Sequence, residues 1–217
     1  MEKIDVIEIF PTPIGIFQYD KHDYVEKQIE IYLSKNKPTH RGVSDRLFHY
    51  ENDKGNTILD NYIFKDLKKW ILECSSLYSR EVLGFNTDEM IVTDSWINVA
   101  KKGAYQMPHL HVNSFLSATY YINRNNNHSP ILFRNPKNVE YNGNKPILLM
   151  NIKKNTKFNS DVRIEPKNGT LVIWESFVVH GYEENPSDGR IAMSLNIMPR
   201  NITNGVYGYE ILPKTRK

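Results

Sequence analysis

Met90-Ile-Val-Thr-Asp-Ser-Trp-Ile-Asn-Val-Ala-Lys-Lys-Gly-Ala-Tyr-Gln-Met-Pro-His109-Leu-His111-Val112 is the stretch from which the rest of the chain is read. β-Branched and aromatic residues dominate 90–100, Gly103 interrupts them, and 107–112 resumes the pattern, so the stretch reads as two strands about a turn. Side chains alternate along a strand, which places His109 and His111 on one side. By itself such a pair is ordinary strand packing, two hydrogen-bonded imidazoles on a half-buried sheet. A metal reading needs a third ligand and an element to deliver it.

Working outward, the chain after Gly84 keeps the β pattern. Segments 115–123, 130–134, 146–152, 161–165, 170–176, 178–181, 191–198 and 206–212 have strand composition, and polar Asn- and Lys-rich loops at 123–129, 135–145 and 153–160 lie among them. Many short strands without helical interruption predict a two-sheet jelly roll or a related barrel. Before Gly84, the spacing of Tyr24, Val25, Ile29, Tyr32 and Leu33 predicts a helix over 22–35, ended by Pro38. Leu67, Trp70, Ile71, Cys74, Leu77 and Tyr78 predict a second helix within 60–83, with Gly84 as its cap. Residues 4–20, broken by Pro11 and Pro13, read as two short strands, and 39–57, polar with Gly42 and Gly55, as a long surface loop. The expectation is one domain over 1–217, with N-terminal strands and supporting helices in 1–85 and a β core in 86–212. Its class is mainly β (α+β).

Composition excludes several function classes. With 28 Lys and Arg against 25 Asp and Glu, the net charge of +3 gives no basis for nucleic-acid binding. The single cysteine, Cys74, falls in the apolar stripe of the second helix, forms no internal disulfide and fits a reducing compartment. No apolar run approaches 18 residues and the start lacks a signal-like run, so no membrane association and a cytoplasmic location are expected. A phosphate loop, a Gly-x-Ser-x-Gly elbow and a Cys-x-x-Cys pair are all missing from the sequence.

His180 supplies the missing ligand. It ends an apolar run that starts after Gly169, on a strand able to return beside 107–112. Imidazoles suit first-row metals, and three facial ligands leave coordination positions open for an organic co-substrate and dioxygen. Arg190 begins the strand that follows Glu183-Glu-Asn-Pro-Ser-Asp-Gly189, and its planar guanidinium is shaped for a bidentate hold on a carboxylate. Asn98 lies on the strand that enters the site. Ser117, Thr119 and Tyr121 share one face of their strand with Tyr120 on the other, and Ser194 and Asn196 share the face of Arg190. Trp174 reads as core. His22, His40, His49 and His128 have no ligand-like spacing and read as surface residues, with His40 and His49 as secondary candidates for a cleft wall.

Gly103-Ala-Tyr-Gln-Met-Pro-His109-Leu-His111, Gly169-Thr-Leu-Val-Ile-Trp-Glu-Ser-Phe-Val-Val-His180 and Arg190-Ile-Ala-Met-Ser-Leu-Asn196-Ile together resemble the metal and co-substrate motifs of the 2-oxoglutarate and Fe(II)-dependent dioxygenase superfamily. Leu116-Ser-Ala-Thr-Tyr-Tyr-Ile122 and Trp96-Ile-Asn98-Val are similar to a bacterial and phage subgroup distantly related to prolyl 4-hydroxylases. The resemblance covers about 90–200 and, more loosely, Ile9-Phe-Pro-Thr-Pro13. It implies a double-stranded β-helix (jelly roll, cupin-like) buttressed by the N-terminal helices. It also implies Fe(II) held by His109 and His180, with 2-oxoglutarate and O2 as co-substrates, Arg190 on the distal carboxylate and a tyrosine such as Tyr121 beside it, and it makes Asn98, Ser117 and Asn196 further candidates for binding 2-oxoglutarate. The implied activity is that of an oxygenase, a hydroxylase by analogy, acting on a small-molecule or peptidyl substrate in the cytoplasm of a bacterium or a phage-infected host. One residue departs from the pattern: His111 stands where most of the superfamily has Asp or Glu. Three arrangements stay open there, namely ligation by His111, a water in its place, or approach of the Asn113 carbonyl oxygen. Two other functions compete: a cupin-like metalloenzyme that does not use 2-oxoglutarate, and a non-catalytic phage structural or binding protein with a degenerate barrel.

Overall fold

A computed structural model of the protein describes residues 10–51, 57–86, 89–135 and 161–212. Among the described residues the first elements are strand β1 (Gly15–Gln18) and helix α1 (His22–Lys35), followed by a hairpin of β2 (His40–Arg41) and β3 (Leu47–Tyr50). Short 3-10 turns at Ile58–Asp60 and Tyr62–Phe64 lead into α2 (Lys65–Leu77), which ends in a wider turn over Tyr78–Val82. The β-rich half follows as β4 (Met90–Ala100), β5 (Gln106–His109), β6 (Leu116–Asn123), β7 (Ile131–Phe133), β8 (Val162–Ile164), β9 (Thr170–Glu175), β10 (His180–Tyr182) and β11 (Arg190–Pro199). A small hairpin, β12 (Asn201–Thr203) with β13 (Gly208–Glu210), stands apart as its own two-stranded sheet.

Among the described residues the major sheet has seven strands in the order β1-β9-β6-β11-β4-β3-β2, and the minor sheet has four in the order β5-β10-β7-β8. Their strand pairings are antiparallel, and most neighbours in space are distant in sequence, as a double-stranded β-helix requires. Strand alternation assigns the two faces of the major sheet to different tasks. Met193, Leu195 and Ile197 of β11, Ile97 of β4, Tyr120 of β6 and Leu171 and Ile173 of β9 pack in one core with Val25 and Ile29 of α1 and Leu67, Ile71 and Cys74 of α2. Each of these large side chains contributes about 1.5–3 kcal/mol by leaving water, which fixes the helices to this face. The opposite face meets the minor sheet, where Tyr121, Val172, Trp174 and Ala192 pack with Ile131 and Phe133. The polar residues Arg190, Ser194 and Asn196 alternate with the first core on β11 and therefore point between the sheets.

Several expectations need correction. The segment read as a surface loop at 39–57 contains the β2–β3 hairpin, and β3 extends the major sheet along β4 through Leu47↔Ala100 and His49↔Asn98. The four residues Leu47-Phe-His-Tyr50 alternate buried and half-buried, a signal too short to stand out within a polar stretch. Gly42 permits the close return: a Cβ there would lie 2.5 Å from His49 Nε2 and 2.7 Å from a Leu47 methyl. The second helix is shorter than 60–83, because its ends tighten to 3-10 turns on one side and widen on the other. Gly84 (φ 74°) nonetheless turns the chain out of it, and the Phe85 amide caps the Ser79 carbonyl at 3.0 Å. Only 15–18 of the two strands expected in 4–20 forms, with 4–9 outside the described residues, as is the strand expected at 146–152. Among the described residues no helix is long and apolar enough to cross a membrane.

Candidate active site

His109 closes β5 and His180 opens β10, and the two are direct partners across the antiparallel pair. His111 lies two residues beyond the end of β5, where its backbone amide donates to the Ser176 carbonyl at 3.0 Å. The strand does not continue to Asn113, which is exposed and turns through a left-handed conformation (φ 56°), so alternation stops before it. The rings converge, with centroids 4.4 Å apart for His109–His180, 5.0 Å for His111–His180 and 5.1 Å for His109–His111.

Hydrogen bonding fixes which nitrogen of each ring is free. Nδ1 of His109 lies 2.8 Å from the Met107 carbonyl oxygen and Nδ1 of His180 lies 2.9 Å from that of Val178. A carbonyl oxygen only accepts, so both Nδ1 atoms carry the proton. Nδ1 of His111 meets the side-chain oxygen of Asn196 at 2.5 Å, and that amide is oriented because its nitrogen donates to the Asp94 carboxylate at 3.3 Å. On a neutral ring the remaining nitrogen, Nε2, is then bare in all three residues. The three ligand atoms lie within 4.8 Å of one another, and Nε2 of His109 and Nε2 of His111 are 3.2 Å apart. Neither of that pair has a proton to share, so the contact is one of two lone pairs, which a cation would relieve. Orientation of each ligand ring by an outer hydrogen bond is the usual support of a metal centre. Burial, followed by the neighbouring His109, pushes the His180 imidazole down to about 3. Burial likewise lowers His111, against the opposing hydrogen bond from Asn196. Both rings are therefore neutral and ready to ligate at ordinary pH.

From the histidines a cavity of about 460 Å³ runs between the sheets, lined by His49, Trp96, Asn98, Thr119, Tyr121, Trp174, Tyr182 and Arg190 among others. Arg190, 3% exposed, stacks 4.1 Å from the Tyr182 ring centre and 5.4 Å from that of Tyr121, and its Nε donates to the Ser129 carbonyl at 3.3 Å. No carboxylate pairs with it among the described residues. An uncompensated charge of this kind is costly to bury. The hydroxyls of Tyr121 and Tyr182 and the indole nitrogen of Trp174 are also buried without a hydrogen-bond partner among the described residues. The chemistry left unsatisfied is one cation and several donors around a common space, which matches a carboxylate.

The fold thus brings His109, His111, His180, Arg190, Tyr121 and Asn98 to one cavity. Asn98 donates to the Ser194 hydroxyl at 2.7 Å inside it. Asn196 lies on the expected face but is engaged with His111 and Asp94 instead of the inner end of the cavity. Ser117 is separate: its hydroxyl is fully buried and bonded to Ser176 at 2.8 Å, so it lines no part of the cavity. Trp174 is core, as read, yet it also forms cavity wall, edge-on to His180 at 4.6 Å. Two of the histidines read as surface residues are buried. His49 lines the cavity, because β3 joins the sheet, while His128 bonds the Asp188 carbonyl at 2.8 Å in a structural role. Tyr182 and Trp96 were not singled out by sequence reasoning. Tyr182 follows His180 by two positions, and Trp96 shares the face of Asn98, so strand alternation contained both signals.

Known proteins give three comparisons. Residues 94–196 match the family model described as "Putative 2OG-Fe(II) oxygenase". No curated protein matches the chain. Solved structures match along most of its length. They include SnoN, a non-heme alpha ketoglutarate dependent epimerase from nogalamycin biosynthesis (10% identity, TM-score 0.63, covering 93% of this chain and 89% of that one). They also include HygX from Streptomyces hygroscopicus with nickel, 2-oxoglutarate and hygromycin B bound (11%, 0.58, 87% and 83%) and a Pseudomonas putida prolyl-4-hydroxylase (14%, 0.53, 86% and 91%). At such identities the structural likenesses establish the jelly-roll fold.

Proposed function

The chain belongs to the 2-oxoglutarate and Fe(II)-dependent oxygenase superfamily, and from that premise we propose that His109, His111 and His180 hold the iron through Nε2 while Arg190 holds the far carboxylate of 2-oxoglutarate. The protein is an oxidoreductase whose cofactor is Fe(II) and whose co-substrates are 2-oxoglutarate and O2. The observation that carries the assignment of residues is the pairing of three bare Nε2 atoms at one end of the cavity with a buried guanidinium that has no acid partner among the described residues.

When bound, iron would activate O2, which takes two electrons from 2-oxoglutarate as it decarboxylates to succinate and two from the substrate, one oxygen atom going to each. The chain's own residues provide placement and a dry enclosure. Arg190 is held flat by the Tyr182 and Tyr121 rings, so its donors reach the cavity without a search through rotamers. The free hydroxyls of Tyr121 and Tyr182 donate to the same carboxylate, and Ala192 and Ile131 close the space around it. Asp94 orients Asn196, which keeps the His111 proton on Nδ1 and its lone pair on the metal side. Three neutral ligands leave a bound Fe(II) with its full charge of about +2, where a carboxylate would leave about +1, and the 2-oxoglutarate dianion balances the former. The unpaired Arg190 favours this reading over a cupin-like centre that does not use 2-oxoglutarate. The oxidation is read as hydroxylation of a small molecule or a peptide.

Metal titration and succinate formation test the assignment. His109→Ala and His180→Ala lose metal, whereas His111→Ala weakens it and His111→Asp retains it by restoring a carboxylate. Arg190→Ala keeps metal but loses 2-oxoglutarate turnover. Undiminished metal binding in His180→Ala, or unchanged turnover in Arg190→Ala, would sink it.

A further inference from the structure

A second pocket, about 340 Å³, opens beside the first and shares His49 and Trp96 with it; its other walls are His40, Glu51, Asp94 and Asn196. The two pockets carry opposite charge. Among the described residues, the inner cavity is lined by Arg190 and no acid, whereas the outer pocket is lined by two carboxylates and no Lys or Arg. Asp94 uses one oxygen on the Asn196 amide and forms no ion pair among the described residues. Glu51 is mostly buried, and its carboxylate lies 3.6 Å from Nδ1 of the His40 imidazole.

Aromatic faces complete the pocket. His40 and His49 stack at 4.7 Å, and Trp96 stacks on His111 at 6.1 Å, which puts the indole between the outer pocket and the three-histidine cluster. His49 is 9% exposed and its Nδ1 has no hydrogen-bond partner among the described residues, which leaves a buried polar atom free in the wall common to both pockets. Burial, then the neighbouring His40, lowers His49 to about 4, so it stays neutral and does not offset the two carboxylates.

Carboxylates beside aromatic faces, in a partly desolvated recess, recognise cations through ion pairing and attraction to the ring faces together. We propose that the outer pocket binds a protonated nitrogen of the primary substrate, an ammonium or guanidinium group, between Asp94 and Glu51 and against Trp96, with His49 Nδ1 accepting one of its protons. The substrate class is then a cationic amine-bearing molecule or side chain, held so that its carbon skeleton extends past Trp96 towards the histidines. This rests on the proposed function for its catalytic meaning, although the binding event does not need metal.

The test is titration of the full-length protein, with and without Mn(II) and 2-oxoglutarate, using agmatine, cadaverine and mono-N-acetylcadaverine against the neutral N,N′-diacetylcadaverine and the anion glutarate. Tryptophan fluorescence and calorimetry report binding. The cations are expected to bind at least tenfold more tightly than the diacetyl compound. Glu51→Gln should lose most of that preference while binding Mn(II) and 2-oxoglutarate normally, and Glu51→Lys should invert it in favour of glutarate, read with saturating 2-oxoglutarate present so that the Arg190 site is already filled. Equal binding of neutral and cationic probes overturns the proposal, as does a preference unchanged in Glu51→Gln. Failure of Mn(II) or 2-oxoglutarate to bind the native protein counts against the proposed function alone, because cation binding is read separately in the metal-free protein.

Discussion

Asn196 is the residue on which the proposed role of His111 as third ligand depends. Its side-chain oxygen faces His111 only because Asp94 takes its amide nitrogen, so Asn196→Ala should free the ring to rotate and to place its proton on Nε2. A loss of about 10–100-fold in metal affinity is expected, by analogy with other outer supports of metal ligands. Metal affinity equal to the native protein's in this variant would mean that the ring is held by something else. Arg190 gives a second prediction of opposite character. A buried charge without a partner costs stability, and replacing it with an apolar residue of similar length removes that cost. Arg190→Met is therefore expected to leave the protein without 2-oxoglutarate as stable as the native one, or more so, and to abolish the rise in Tm on adding 2-oxoglutarate with Mn(II). Thermal melts with and without co-substrate check both parts. A variant still stabilised by 2-oxoglutarate would remove Arg190 from its binding.

At the scale of elements, the site is made where β5 and β10 meet, since His109 and His180 are partners in that pair. Gly181 sets their separation: a Cβ there would lie 2.5 Å from the Gln106 carbonyl oxygen and 3.1 Å from Met107 backbone atoms. Backbone cannot yield as a flexible side chain can, so Gly181→Ala should push β5 away and carry His109 with it. A loss of at least about tenfold in metal affinity is expected on the scale known for disturbed ligand support, whereas Val162→Ala, exposed on the far strand of the same sheet, should leave affinity unchanged. Calorimetric metal titration of both variants decides it. The β2–β3 hairpin is an element of the site that sequence reasoning missed, and with it the wall at His49. Its strands span two and four residues, too short for a period to emerge, and their burial comes from β4 beside them.

For the molecule as a whole, the buried imidazoles make stability depend on pH. His49 and His180 have folded values near 4 and 3, below the ordinary value of 6.5, so the unfolded chain binds more protons as pH falls. Stability of the metal-free protein is then fully present above pH 6.5 and is lost as pH drops towards 4, on the order of 3 kcal/mol for each residue at pH 4. Tm measured from pH 8 to 4 should show this decline, and His49→Gln should flatten it; a flat native profile would contradict the burial of both rings. The sequence by itself determined a great deal. Strand composition after Gly84, the first helix at 22–35, and the spacing of His109, His111, His180 and Arg190 were legible because alternation and helical period are local properties of the chain. The resemblance of those motifs then pointed to the oxygenase family. What only the tertiary structure decided were relations between distant segments: that Ser117 bonds Ser176 away from the cavity, that Asn196 serves His111, that Tyr182 flanks Arg190, and that His49 joins the wall. Each of these follows from strand register, which is set by how whole faces bury against one another and is invisible to any window of adjacent residues. At His109-Leu-His111 both kinds of information meet. The sequence put two imidazoles together, and the register of β11 supplied the amide that turns the second one towards the first.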